Sequence, residues 1–242
     1  MSRTALEKAF EEIYSSLPEL LCSDIEKPSP FPTNKKVVAR ELEEKIFSLR
    51  QKCQDGLQHI LDQIGHKEPE KAQEISQLLH EKFDSILTHS MFTFVVLKVV
   101  SGQSWREAFS ISTDLVDTLY ESAKTIFEEG LFQEAASCFT FLSWFDSKEY
   151  SFWMALGHSH FHSAEHLLAI KAYVIASQTC PEEAWPHLYS ALCFEALGNP
   201  EEAAISIQEG IEKAKQHGDK KLILDLQQKL KSYKKEPVEP IS

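Results

Sequence analysis

Apolar residues recur every three or four positions along much of this chain, the spacing that turns one face of a helix toward a core. Leu6, Phe10, Ile13 and Leu17 mark a first amphipathic helix over Thr4–Leu17. Pro18, Pro28, Pro30 and Pro32 then predict an extended linker to about Asn34. Leu42, Ile46, Leu49, Cys53, Leu57, Ile60 and Ile64 predict one long helix from Lys35, closed by Gly65. Pro69 suits the first position of the next helix, whose apolar side is Ile75, Leu78, Leu79, Phe83, Ile86 and Leu87. Two such helices joined by a short turn should form an antiparallel hairpin. Phe92–Val100 is a dense apolar run expected to be buried, and Ser101-Gly102-Gln103 breaks the chain after it. Ser112, Thr113 and Asp114 are candidate caps for a helix beginning near Leu115.

From Val116 a second, longer period appears. Counted from Tyr150, Trp153 is fourth, Leu156 and Gly157 seventh and eighth, Ala169 twentieth, Tyr173 twenty-fourth, Ala176 twenty-seventh and Pro181 thirty-second. Large residues at some of these slots fill the space between two antiparallel helices, and small ones let the backbones approach. That is the tetratricopeptide (TPR) pattern of 34 residues. The unit before it, Val116–Glu149, places Leu119, Ala123, Ile126, Gly130, Ala135, Phe139 and Leu142 in register, with Ser147 where proline would stand. The unit after it, from Ala184, does so with Ala191, Phe194, Gly198, Ala203, Ile207 and Gly210. The expected fold is all-α: three tandem TPR helix pairs plus a C-terminal capping helix, preceded by an N-terminal helical hairpin. The expected divisions are 1–34 (short helix and linker), 35–100 (hairpin region), 101–235 (TPR domain) and 236–242 (disordered tail). Within the TPR domain the repeats are 116–149, 150–183 and 184–217, and a capping helix over 219–235 covers the open end, as solenoids require.

Composition narrows the function. A formal charge of −12 argues against a nucleic-acid partner, because such binding depends on neutralising phosphates with Lys and Arg. Five scattered cysteines without a C-x-x-C pair indicate neither a disulfide framework nor a zinc knuckle, and fit a reducing cytosol. Met1–Glu12 has no apolar core of a secretory signal, and Phe92–Val100 is too short to span a bilayer. No membrane partner is expected.

In each TPR unit, positions two, five, nine and twelve of the first helix form a stripe about a third of a turn from the packing stripe. That stripe faces the inner side of a TPR array and should be polar if it meets only water. Here it reads Asp117, Tyr120, Lys124, Phe127; Ser151, Met154, His158, Phe161; Trp185, Leu188, Leu192, Glu195. Seven of these twelve are large and apolar, as at a partner surface. The candidate peptide-binding residues are therefore Tyr120, Lys124, Phe127, Met154, His158, Phe161, Trp185, Leu188 and Leu192. His158, His160, His162 and His166 cluster nearby, and His158 and His162 have the spacing of a ligand pair. Ordinary packing or surface histidines are expected here, over a metal site or a pH-sensitive groove. No G-x-S-x-G, P-loop or G-x-G-x-x-G occurs. No enzyme activity, catalytic residue, metal or cofactor is expected.

Ile111, Ser112, Leu115, Leu119, Tyr120 and Ala123, then Gly130 and Ala135, then Phe139, Leu142 and Asp146 fall in an ordered run. This run resembles the class II type III secretion chaperones, TPR proteins that hold translocator subunits in the bacterial cytosol. PEEAWPHLYSALCFEALGNPEEA, with Pro186 inside its first helix, resembles the third repeat of that family, and the similarity spans roughly 95–233. The resemblance implies a cytoplasmic chaperone whose concave groove holds a segment of an exported translocator-type protein, with self-association through N-terminal helices as a homodimer. It also implies a role in virulence. Met1–Ser90 is longer than the leading segment of such chaperones. The competing expectation is a general TPR scaffold or regulator-sequestering adaptor unrelated to secretion.

Overall fold

The structure, a computed structural model, describes residues 35–84, 102–218 and 220–233. The expected helix at Thr4–Leu17, the proline linker, the Phe92–Val100 run, Ile86, Leu87, the cap at Asp219 and the 236–242 tail lie outside the described residues. So do the side chains of Leu42, Ile46 and Phe83. Every described element is helical. In chain order these are α1 (Lys35–Lys67), α2 (Pro69–Asp84), α3 (Trp105–Ala108), α4 (Thr113–Glu128), α5 (Phe132–Phe145), α6 (Tyr150–His162), α7 (His166–Thr179), α8 (Trp185–Ala196), α9 (Pro200–His217) and α10 (Lys220–Tyr233). The architecture is three TPR helix pairs, α4/α5, α6/α7 and α8/α9, with α10 as the cap and α1/α2 as the preceding hairpin. Two compact units divide between Ala123 and Lys124.

In the first unit α1 packs on α2, burying Cys53, Leu57, Ile60 and Ile64 against Ile75 and Leu79. Gly65 does not end α1. The helix runs on to Lys67, because Glu68 still donates its N–H to Ile64 O and Pro69 opens α2 directly. Gly65 faces Ala72 of α2, and an added Cβ would make an ordinary 3.6 Å contact with Ala72 Cβ. Helix α3 starts in a capping box: Ser104 Oγ accepts from Glu107 N at 3.3 Å and Glu107 Oε2 accepts from Ser104 N at 2.7 Å. Of the three candidate caps before α4, Ser112 does the work, its Oγ accepting from Leu115 N at 3.3 Å.

The second unit stacks each helix on the next, from α5 through α10. Its repeat positions explain the packing. Gly157 of α6 lies directly under the ring of Tyr173 on α7, which is fully buried together with Ala169 and Ala176. Trp153 Nε1 donates to Ser147 O at 2.9 Å, so an indole ties down the link between repeats where proline is missing. The α9 end is capped by Gly218, left-handed at φ 74°, and α10 then covers Ala203, Ile207, Ile211 and Ala214 with Leu222 and Leu226.

The turn inside each pair needs a positive φ at the fifteenth repeat position. Gly130 (φ 82°) and Gly198 (φ 74°) supply it freely, but the middle repeat has Ala164 at φ 59°. A Cβ in this region costs about 1–2 kcal/mol. Ala164→Gly is therefore expected to stabilise the protein by about 0.5–1 kcal/mol after the added chain entropy of glycine. A rise in the urea midpoint at unchanged m-value checks this, and a fall would contradict it.

Candidate functional site

Within the second unit, ring contacts link the last turn of α4 to α6 and α6 to α8. The Phe127 ring, on the last turn of α4, meets His162 of α6 edge-on at 5.5 Å. The ring of His158, on α6, meets Tyr189 of α8 at 4.4 Å. Together α6, α8 and the last turn of α4 make one wall, and the expected binding residues have unequal standing.

Trp185, at the first position of α8, is 42% exposed, with its ring 6.4 Å from Tyr189. Leu188 and Leu192 follow one and two turns along and are half-buried; Leu188 rests on the core of Ala184, Ala191 and Ile207. Phe161 is half-buried, its ring 5.7 Å from His162 and 5.6 Å from His166. Phe127 is half-buried against Phe132, ring to ring at 5.2 Å, and Lys124 is exposed. Met154 is only 8% exposed and packs with Ala169, Tyr173, Ala176 and Cys193. Its side chain forms the floor of the wall. Tyr120 is half-buried in the first unit.

His158 is also turned inward. Its Nδ1 shares a hydrogen bond of 2.9 Å with the Tyr173 hydroxyl, and the Tyr173 and Tyr189 rings stack at 5.5 Å. Burial, helped by the charge of His162, pushes His158 down to about 4, so its imidazole is neutral near pH 7. Burial pushes the Tyr173 phenol up, out of the titrating range. Tyr189 was not among the residues singled out from sequence. It sits one position beyond the stripe, and only its long side chain carries it across to the neighbouring repeat.

The other histidines are dispersed among different partners. His160 donates from Nδ1 to Glu165 Oε2 at 2.7 Å, and His162 stacks on Phe132 at 4.8 Å. Among the described residues no group of three His, Cys, Asp or Glu is placed to hold a metal ion. Cys53, Cys138 and Cys193 are buried, and burial pushes each thiol up to about 12. Thiols held protonated in this way are poor nucleophiles. No described helix is long and apolar enough to cross a membrane.

The neutral, buried His158 carries a pH dependence. The unfolded chain takes up a proton at the ordinary value of 6.5, whereas the folded chain does so only near 4. Stability is thus fully present above 6.5 and falls as pH drops toward 4. The expected loss between pH 7 and pH 5 is about 1–2 kcal/mol, discounting for the residual exposure of the ring. Urea midpoints at the two pH values measure it. The slope should flatten in His158→Gln, and an equal slope in both proteins would contradict the assignment. His187, depressed by burial despite its hydrogen bond to Glu209, adds a smaller slope of the same sign.

No protein-family model matches the chain, and no curated protein matches it. Solved structures do. A T3SS complex from Aeromonas hydrophila aligns at a TM-score of 0.55 and 22% identity, covering 58% of this chain and 94% of that one. The type III secretion translocator chaperone SycD from Yersinia enterocolitica aligns at a TM-score of 0.51 and 22% identity, covering 54% of this chain and 98% of that one. The chain has the TPR fold of this type III secretion translocator chaperone.

Proposed function

We propose that this protein is a cytosolic chaperone of a bacterial type III secretion system. It holds an apolar segment of an exported translocator-type protein against the wall formed by α6, α8 and the last turn of α4. The observation that carries the reading is the apolar wall itself, headed by the exposed Trp185, on a fold shared with a translocator chaperone. Folded proteins seldom leave a contiguous apolar patch uncovered unless a partner uses it. Trp185, Leu188, Leu192, Phe161 and Phe127 make the contact, Lys124 extends it, and Met154 and His158 shape its floor. The mechanism is occupancy: a client segment that would otherwise aggregate or associate early is kept soluble until it is handed to the export apparatus. This requires no nucleotide, metal or bond-making step, and the protein is not an enzyme.

Self-association belongs to the hairpin, where Leu49 of α1 and Leu78 of α2 remain exposed. Co-expression of the tagged chain with exported, membrane-inserting proteins tests the client reading. Copurification of one of them in a soluble complex of defined size is expected. Recovery of a transcriptional regulator or an assembly factor in their place would replace the chaperone with an adaptor.

A further inference from the structure

The outer side of α2 is complementary to itself. Glu74, Leu78 and Lys82 follow one another at four-residue steps, a single row along the helix with an acid at one end, a base at the other and an apolar residue between. Glu74 and Leu78 are exposed, Leu78 by 41%, and Lys82 is half-buried. The neighbouring acid Glu81 is already held by Gln77 Nε2 at 3.0 Å. A lone exposed leucine would need no explanation, but Leu78 borders a cavity of about 360 Å3 within the first unit. Ile75 and Leu78 line it from α2, and Ile111 and Leu115 line it from the start of α4. Glu74 and Lys82 stand in the same lining.

A second α2 laid antiparallel across the first, on a two-fold axis at Leu78, satisfies all three positions of the row. Glu74 of each copy then falls opposite Lys82 of the partner subunit, so symmetry makes two ion pairs from one sequence pattern. The partner's Leu78 packs beside its mate and into the cavity. Rows of this four-residue step interlock at a crossing angle of about −50°, with the helix axes about 8–10 Å apart. A parallel arrangement would set acid on acid and base on base, which repel.

We propose that this chain forms a two-fold dimer through α2, centred on Leu78, with Glu74 and Lys82 paired reciprocally between the copies. This rests on the reading of the hairpin as the self-association surface, and narrows it to one helix. Leu49, exposed on α1, stays outside the contact.

Sedimentation velocity of the full chain tests the charge pairs. Glu74→Lys and Lys82→Glu are each expected to weaken the dimer about tenfold, because each sets like charges opposite one another at both ends of the contact. The Glu74→Lys/Lys82→Glu variant rebuilds both pairs in reverse and should dimerise as the wild type does, a rescue that a folding defect cannot imitate. Single variants that dimerise like the wild type overturn the proposal, and so does a double variant no better than the singles. Leu78→Cys tests the axis. Helices packed this closely bring the two Cα atoms within reach of a disulfide, so oxidation should give covalent dimers, with none from Leu49→Cys. Crosslinks from Leu49→Cys alone would overturn the α2 contact and leave the hairpin as the self-association surface. A wild-type chain that stays monomeric at every concentration would remove the hairpin reading as well.

Discussion

Gly157→Ala is expected to lower the stability of the protein by about 2–3 kcal/mol, an unusual outcome for glycine to alanine inside a helix. Alanine normally gains about 1 kcal/mol over glycine there, through lower backbone entropy. At Gly157 the added Cβ would fall on the Tyr173 ring, 2.6 Å from Cδ1 and 2.8 Å from Cζ, and closer still to Cε1. Real carbons do not approach to such distances, so the ring must move. It is held on every side: fully buried, hydrogen-bonded to His158 and stacked on Tyr189. A close-packed interior gives such a ring no room to retreat, so overpacking outweighs the propensity gain. The urea midpoint reports the loss. Tyr173→Leu introduced into Gly157→Ala should recover part of it. A Gly157→Ala protein as stable as the wild type would show that α6 and α7 do not approach as described. Gly65 makes the contrast, since its Cβ would make only an ordinary 3.6 Å contact with Ala72. Gly65→Ala should be neutral or mildly stabilising.

The second large effect falls on binding and leaves the fold intact. Trp185→Ala is expected to weaken capture of a translocator client by about 100-fold, the scale of a hot-spot tryptophan at the centre of an interface. With 42% of its surface already exposed, Trp185 contributes little to the core, so the thermal midpoint should stay close to that of the wild type. Leu167→Ala supplies the control. Leu167, on α7, is 64% exposed but lies on a second helix, off the proposed wall, and should bind as the wild type does. A Trp185→Ala protein that keeps full affinity while Leu167→Ala loses it would move the client to the other side of the array. Met154→Ala is less informative, because Met154 belongs to the core and its loss would mix unfolding with binding.

The fold could be read in the sequence because TPR packing uses few positions and repeats them. Leu156, Gly157, Ala169, Tyr173 and Ala176 are where two helices touch, and each is buried at its expected place. What escaped the reading depends on contacts between repeats or on local backbone. A helical wheel considers one helix at a time, so it put Met154 and His158 on an open stripe. It could not see Tyr173 and Tyr189 reaching across to cover His158. Tyr189 was missed for the same reason. The left-handed turn at Ala164 was hidden because alanine gives no sign of positive φ, although Gly130 and Gly198 at the same repeat position point to it. Gly65 looked like a helix end because glycine commonly ends helices, but α1 continues through it to Lys67.

The proposal that a client lies on the first-helix wall is tested most directly by photo-crosslinking within the copurified complex. p-Benzoylphenylalanine is placed at Trp185 in one protein and at Leu167 in another. Strong crosslinks to the client from position 185, and none from position 167, are expected. Crosslinks from position 167 with none from 185 would contradict the assignment of the site.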